Sequence, residues 1–235
     1  LGGRVIYTIQ SEILKRRYLD SSDRLTAVER AALDYRFCDV TIEEEVRALF
    51  DGIGPLAGVV HSVAYANPKT CLGEEFHTEA VEDIKKSYHV TCMSLATVAR
   101  HAVPCLASGG AIVTLSFDTR HVFPLYNWMG VHKAALEALV RALARRPGRD
   151  HIRVNAVSAV RVATTASSRI PVFERLIAMW KESSPLPWDP VQDKQAVADA
   201  VAFLLSPLAQ RITGQVLMVD GGASIIGGGL QEYEK

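Results

Sequence analysis

The feature that most limits what this chain can fold into is a repeated alternation of short apolar runs with longer helical patterns. Leu56 to His61 is almost wholly apolar, as befits a strand of a parallel sheet covered on both faces. Gly110 to Ser116 has the same character. After a loop it is followed by a long Ala-rich helical pattern that runs to about Arg146, where Pro147-Gly148 stops it. Earlier, Arg4 to Ile9 reads as a buried strand ending at Gln10, and Tyr35 to Cys38 as a second closing on Asp39-Val40. Ile152 to Val157 and Gln215 to Asp220 complete the set. Ser11 is placed to cap a basic helix from Glu12 to about Tyr18. Thr41 is placed to cap another to about Phe50, with Glu44 in the capping-box position. Further helices are expected over His89–Val103, Phe173–Lys181 and Asp193–Leu205. This alternation predicts an α/β fold: a Rossmann-like, doubly wound, mostly parallel sheet between two helical layers. No repeat or linker divides the 235 residues, so residues 1–235 read as a single domain.

Composition removes several classes of function. Lys+Arg and Asp+Glu both number 26, so net charge is zero and gives no electrostatic case for nucleic acid or a membrane surface. Cys38, Cys71, Cys92 and Cys105 are widely spaced and read as reduced thiols, with no disulfide framework or zinc site. No apolar run reaches transmembrane length and no signal peptide is visible. A cytoplasmic protein is expected. His61, His121 and His132 lack metal-ligand spacing and read as structural. Asp118 and Arg120 read as a loop-stabilising pair, Trp180 and Trp188 as packing or flap residues, and Gly227-Gly228-Gly229 as a tail rather than a phosphate loop.

Chemistry is concentrated in Tyr126-Asn127-Trp128-Met129-Gly130-Val131-His132-Lys133. A tyrosine and a lysine seven positions apart on a helix are about 20° out of register and roughly 10 Å apart along the axis. The long lysine side chain can span most of that distance toward a shared ligand. A nearby ammonium stabilises a phenolate, which makes the phenol a better proton donor. Ligands of doubly wound sheets sit at the carboxyl ends of the strands. There the sequence sets Gln10, Asp39-Val40, His61-Ser62-Val63-Ala64-Tyr65-Ala66, Ser116-Phe117 and Ser158 to Thr164, on one edge with Tyr126 and Lys133.

Four motifs together carry a family resemblance. They are His61 to Ala66, Tyr126-x6-Lys133, Arg153-Val154-Asn155-Ala156-Val157-Ser158-Ala159, and Ile212-Thr213-Gly214-Gln215 with Val219-Asp220-Gly221-Gly222. The chain resembles the bacterial enoyl-acyl-carrier-protein reductases, a divergent branch of the short-chain dehydrogenase/reductases, from Gly3 to about Gly227. The ordinary branch spaces its pair as Tyr-x3-Lys, and here position 130 is Gly. Asn127-Trp128-Met129 and Phe117-Asp118 are similar to the mycobacterial members, whereas Thr164 to Pro185 lacks their long insertion.

The resemblance implies hydride transfer from NADH, with NADPH possible, to the β-carbon of a trans-2-enoyl thioester in fatty acid elongation. The substrate would be carried on acyl-carrier protein or coenzyme A, and the enzyme would be a homotetramer. By the same resemblance, Tyr126 hydrogen-bonds the thioester oxygen, Lys133 holds the nicotinamide ribose and Phe117 is a substrate-orienting wall. Ala66 would contact substrate, while Gln10, Asp39, Val40, Val63, Val162, Thr164 and Ala166 would line the cofactor groove.

Two departures stand out. The family's opening strand and Gly-rich turn, which carry the pyrophosphate, are absent from this sequence. We therefore expect roughly 25–35 further N-terminal residues, the size of one βα unit, making the domain N-terminally incomplete. Val160-Arg161 stands where the family has Gly-Pro beside the nicotinamide. These departures keep open an alternative: a catalytically silent paralogue acting as a structural or regulatory subunit. A ketone-reducing member of the superfamily is disfavoured by the wide Tyr/Lys spacing.

Overall fold

The computed structural model describes residues 3–17, 26–69, 71–72, 80–123, 126–159, 184–189 and 192–226. Strand β1 (Ile6–Ile9) lies parallel to β2 (Asp34–Phe37). Strands β3 (Leu56–His61), β4 (Leu106–Ser116), β5 (Arg153–Ala159) and β6 (Val216–Val219) form a second sheet in that order. Every strand pair described is parallel, which sharpens the expectation of a mostly parallel sheet. Among the described residues β1 and β3 are not hydrogen-bonded to one another.

Helices α1 (Glu12–Lys15), α2 (Ala27–Ala31) and α3 (Glu43–Phe50) fill the first half. Then α4 (Val81–Tyr88) runs through a π-helical segment, His89–Met93, into α5 (Ser94–Ala102). After β4 comes α6 (Asn127–Arg145), and α7 (Lys194–Leu205) precedes β6. Residues of a strand alternate between faces, and the core divides accordingly. Ile112, Val154 and Ala156 pack with Leu95 and Ala99 of α5 and with Leu136 and Val140 of α6. Val113 and Val157 pack on the other side with Val197 and Leu204 of α7 and with Trp188. Trp188 is therefore a core residue. The result is the expected three-layer arrangement.

Three local expectations are corrected. Helix α3 begins after Ile42, with no side-chain cap, because the Asp39 carboxylate captures Thr41: its Oδ1 accepts from the Thr41 amide at 2.9 Å and hydroxyl at 2.7 Å. A short Asp side chain competes well for donors two residues on. Glu45 rather than Glu44 reaches back, accepting from the Asp39 amide at 2.7 Å. The helix expected from His89 starts at Val81 instead. Its first turn holds Glu82 and Asp83 and its last Lys85 and Lys86, charges that complement the helix dipole. Tyr126 is the N-cap of α6, not an interior residue. The expected helix over residues 173–181 and the tail glycines lie outside the described residues.

Several motif residues are structural. Arg153, buried beneath α7, donates to the carbonyls of Leu204 (2.6 Å) and Ser206 (3.2 Å). It thereby satisfies groups that a helix end leaves without partners. Asn155 Nδ2 donates to Ile212 O at 2.9 Å while its Oδ1 accepts from Gln215 N at 3.0 Å, pinning the approach to β6. Asp220 accepts from the amides of Gly222 (2.9 Å) and Ser224 (3.0 Å). Gly58 matters for what it lacks, since a Cβ there would lie 2.7 Å from the Leu205 side chain and 3.0 Å from Ala111 O. The missing side chain lets α7 approach the sheet.

Candidate active site

Helix α6 carries the Tyr126/Lys133 pair across the carboxyl end of β4. Lys133 is buried, and its Nζ donates to Leu115 O at 2.7 Å. Burial pushes the ammonium down to about 8, while Cys92 and Glu137 act in the opposite direction. At neutral pH it remains mostly charged. The Leu115 carbonyl is its one hydrogen bond among the described residues, and an ammonium has three donors. The remaining donors fit two vicinal hydroxyls of a ribose.

Around this cation the structure places groups to which the sequence gives no chemical part. His61 Nε2 meets Ser94 Oγ at 2.8 Å and its Nδ1 meets Thr114 Oγ1 at 3.0 Å. Burial, aided by the Lys133 charge, pushes this imidazole down to about 3, so it is neutral. Cys92, in the π-helical segment, is buried and its thiol is pushed up by that burial. Single π turns often occur at functional sites. Here the segment presents Thr91 and Cys92 inward. His132, on α6, approaches Ser87 Oγ through Nδ1 at 2.9 Å, and Ser87 donates to Tyr65 O at 2.8 Å. Thr91 Oγ1 accepts from Tyr65 N and donates to Tyr65 O, each at 3.2 Å. The segment after β3 is thus held by hydroxyls of the helix opposite.

Tyr126 is buried in an apolar cluster with Leu72 and Met129, against which Ala66, Phe117 and Phe123 pack. The Tyr126 and Phe117 ring centroids are 4.5 Å apart at 49°. Phe117 also meets Phe123 edge-on at 6.5 Å. Three of the expected substrate-side residues, Ala66, Phe117 and Tyr126, are therefore brought together. The loop beyond is closed by Asp118, which accepts from Arg120 Nε at 2.9 Å and from His121 Nδ1 at 2.8 Å. Burial pushes the Asp118 carboxyl up, but the Arg120 and His121 hydrogen bonds outweigh it and hold the group below the usual range.

On the far side, Gln10 Nε2 donates to Asp39 Oδ2 at 2.6 Å. Burial works against the Asp39 carboxylate, yet the bonds from Gln10 and Thr41 leave its pKa lowered. Val40 packs beside Cys38 and Val46, and Val63 is half-buried just past β3. The structure joins Gln10 to Asp39 and sets Val40 and Val63 at strand ends. Val162, Thr164 and Ala166, with Val160-Arg161 and Trp180, lie outside the described residues.

A parallel sheet with a buried lysine and an aromatic-walled tyrosine at its strand ends has the architecture of a dinucleotide-dependent reductase. Residues 1–224 match the family described as enoyl-(acyl carrier protein) reductase. The enoyl-[acyl-carrier-protein] reductase [NADH] of Bacillus cereus is 36% identical over 231 residues, 96% of this chain and 88% of the relative. That of Mycolicibacterium smegmatis is 34% identical, covering 88% of this chain and 85% of its own. Among solved structures, the Bacillus cereus reductase with NADP+ and an indole naphthyridinone superposes with a TM-score of 0.85 at 34% identity, over 96% of this chain and 87% of the other. The Anaplasma phagocytophilum reductase in complex with NAD gives 0.83 at 34% identity, over 96% and 83%. The chain belongs to the enoyl-acyl-carrier-protein reductase family.

Proposed function

We propose that this protein reduces the C2=C3 double bond of trans-2-enoyl thioesters in fatty acid elongation, using NADH. The observation that carries this reading is the pairing of Tyr126, set against Phe117 and Ala66, with a buried Lys133 on the same helix. When bound, the reduced nicotinamide supplies hydride to the β-carbon. Negative charge then develops on the thioester oxygen, Tyr126 donates a hydrogen bond there, and uptake of a proton at C2 completes the saturated thioester. A donor aimed at developing charge is usually the largest catalytic contribution. Lys133 donates to the ribose hydroxyls, and its charge favours the same build-up. Phe117 has no proton to give and shapes the wall against which the acyl group lies. Ala66 contacts substrate, and Gln10, Asp39, Val40 and Val63 line the cofactor groove. Val162, Thr164 and Ala166 are assigned to it by the family pattern.

NADH is favoured over NADPH because the two relatives above, 36% and 34% identical to this chain, are reductases of the NADH type, and two of the basic residues after β1 have partners of their own. Lys15 and Arg16 both approach Glu12, at 3.7 and 3.3 Å, and Lys15 lies 5.1 Å over the Tyr35 ring. The acyl group is carried on acyl-carrier protein or coenzyme A, and the assembly is a homotetramer, as the family pattern implies. No helix described is long and apolar enough to cross a membrane, and a cytoplasmic location is assigned from the family pattern. Spectrophotometric NADH oxidation by the full-length gene product should proceed with a trans-2-enoyl thioester and not with the matching 3-ketoacyl thioester. Preference for the ketone would overturn the reading. The same assay separates it from a catalytically silent subunit, which would turn over neither.

A further inference from the structure

One carboxylate on α6 has no part in the scheme above, yet it is tied to the groups that do. Glu137 lies one turn beyond Lys133. Its Oε1 accepts from Ser116 Oγ and its Oε2 from Thr119 Oγ1, both at 2.7 Å. Ser116 is the last residue of β4, and Ser116 and Thr119 bracket Phe117 and Asp118. A hydroxyl that donates to a carboxylate oxygen forms a charge-assisted bond, shorter and stronger than a neutral one. The two bonds therefore fasten the loop after β4 to the helix at two points.

We infer that Glu137 is a positioning residue: it clasps residues 116–119 to α6 and so sets the Phe117 wall against the Tyr126 ring. This rests on the function proposed above for Tyr126 and Phe117. The neighbouring geometry agrees. Leu115, immediately before the clasp, supplies the carbonyl that holds Lys133, so helix and strand end are joined on both sides of the loop root. A reacting group displaced by about 1 Å can lose on the order of 100-fold in rate, which is what a double fastening guards against.

The same carboxylate has an electrostatic consequence. The groups that face Lys133 among the described residues are the Cys92 thiol, the neutral His61 imidazole, the Leu115 carbonyl and Glu137 on its own helix. Burial lowers the ammonium, and Glu137 opposes it. Removing that negative charge lets the ammonium lose its proton at lower pH.

The test uses Glu137→Gln and the near-isosteric Thr119→Val, singly and together, beside the unaltered protein. Lysine enriched in carbon-13 at Cε reports the Lys133 titration by NMR without substrate or turnover, with Lys133→Arg as the assignment blank. In Glu137→Gln the midpoint should fall by about half a pH unit, and kcat for a trans-2-enoyl thioester should fall about tenfold. Thr119→Val should lower kcat without moving the midpoint. The double variant should be no slower than the worse single one, since both break one clasp. An unmoved midpoint, or effects on kcat that multiply independently, would overturn the inference. Failure of the unaltered protein to reduce the enoyl thioester would instead strike the proposed function, and the NMR titration would still judge Glu137.

Discussion

Tyr126→Phe should lower kcat for a trans-2-enoyl thioester by roughly 100- to 1,000-fold, the usual loss when one donor to a developing oxyanion is removed. The variant keeps the ring. Tyr126 sits in an apolar cluster with Leu72, Met129 and Phe117, and its ring lies 4.5 Å from that of Phe117. A phenylalanine fills the same space, so the apolar packing is kept and the affinity for NADH should be nearly unchanged. An interaction realised only as charge develops lowers kcat and kcat/KM together, leaving KM in place. A rise in KM with kcat unaltered would reassign Tyr126 to ground-state binding. Unchanged turnover would remove it from the chemistry.

Acid should destabilise the fold through His61 well above the pH at which carboxylates titrate. Its imidazole is buried between Ser94 and Thr114 and its folded pKa is about 3 against an ordinary 6.5. Below about pH 6.5 the unfolded chain takes up a proton that the folded one refuses. The stabilisation is therefore complete above the unfolded pKa and is lost as pH falls toward the folded one. The slope is about 1.4 kcal/mol per pH unit within that window, and the loss between pH 7 and pH 5 is about 2 kcal/mol. His132, pushed down to about 4 by burial, acts in the same direction. It stays in place when His61→Gln is compared with the unaltered protein, so its contribution cancels. Urea unfolding at the two pH values should show a smaller stability loss in His61→Gln by about that amount. Equal losses in the two proteins would show that His61 does not hold a neutral buried ring.

The architecture was legible because period and chemistry agreed. An apolar strand such as Gly110–Ser116 is covered on both faces, although Leu56–His61, which reads the same way, leaves Val60 46% exposed. The Ala-rich run after Tyr126 has nowhere to break before Pro147. The strand-end rule then gathered Gln10 with Asp39, and Ala66 with Phe117 and Tyr126, from residues far apart in the chain. Boundaries were less legible where a local side-chain bond holds the backbone ahead of the helix. Thr41 looks like a helix cap in one dimension, but its amide and hydroxyl both donate to the Asp39 carboxylate and the helix begins after Ile42. Val81 was invisible as a helix start because Ala80 offers no capping oxygen.

The polar scaffold behind the site was the least legible part. Ser87, Thr91 and Ser94 are ordinary small residues in a helical sequence. Only the π-helical segment and the proximity of β3 turn their hydroxyls onto Tyr65 and His61. Glu137 offered one usable signal: it follows Lys133 at a spacing of four, on the same helical face. Its partners, Ser116 and Thr119, lie across a loop whose path the sequence does not specify. His61 reads as structural from its spacing alone, and its two hydroxyl partners give that reading physical content.

Delivery of hydride to the β-carbon of an enoyl thioester can be followed with an isotope. The full-length gene product is supplied with crotonyl thioester and NADH doubly deuterated at its hydride-donating carbon, and the label is located by mass spectrometry and NMR. The expected product is the saturated butyryl thioester carrying one deuterium at C3. Deuterium at any other carbon, or intact crotonyl thioester in the presence of bound NADH, would contradict it.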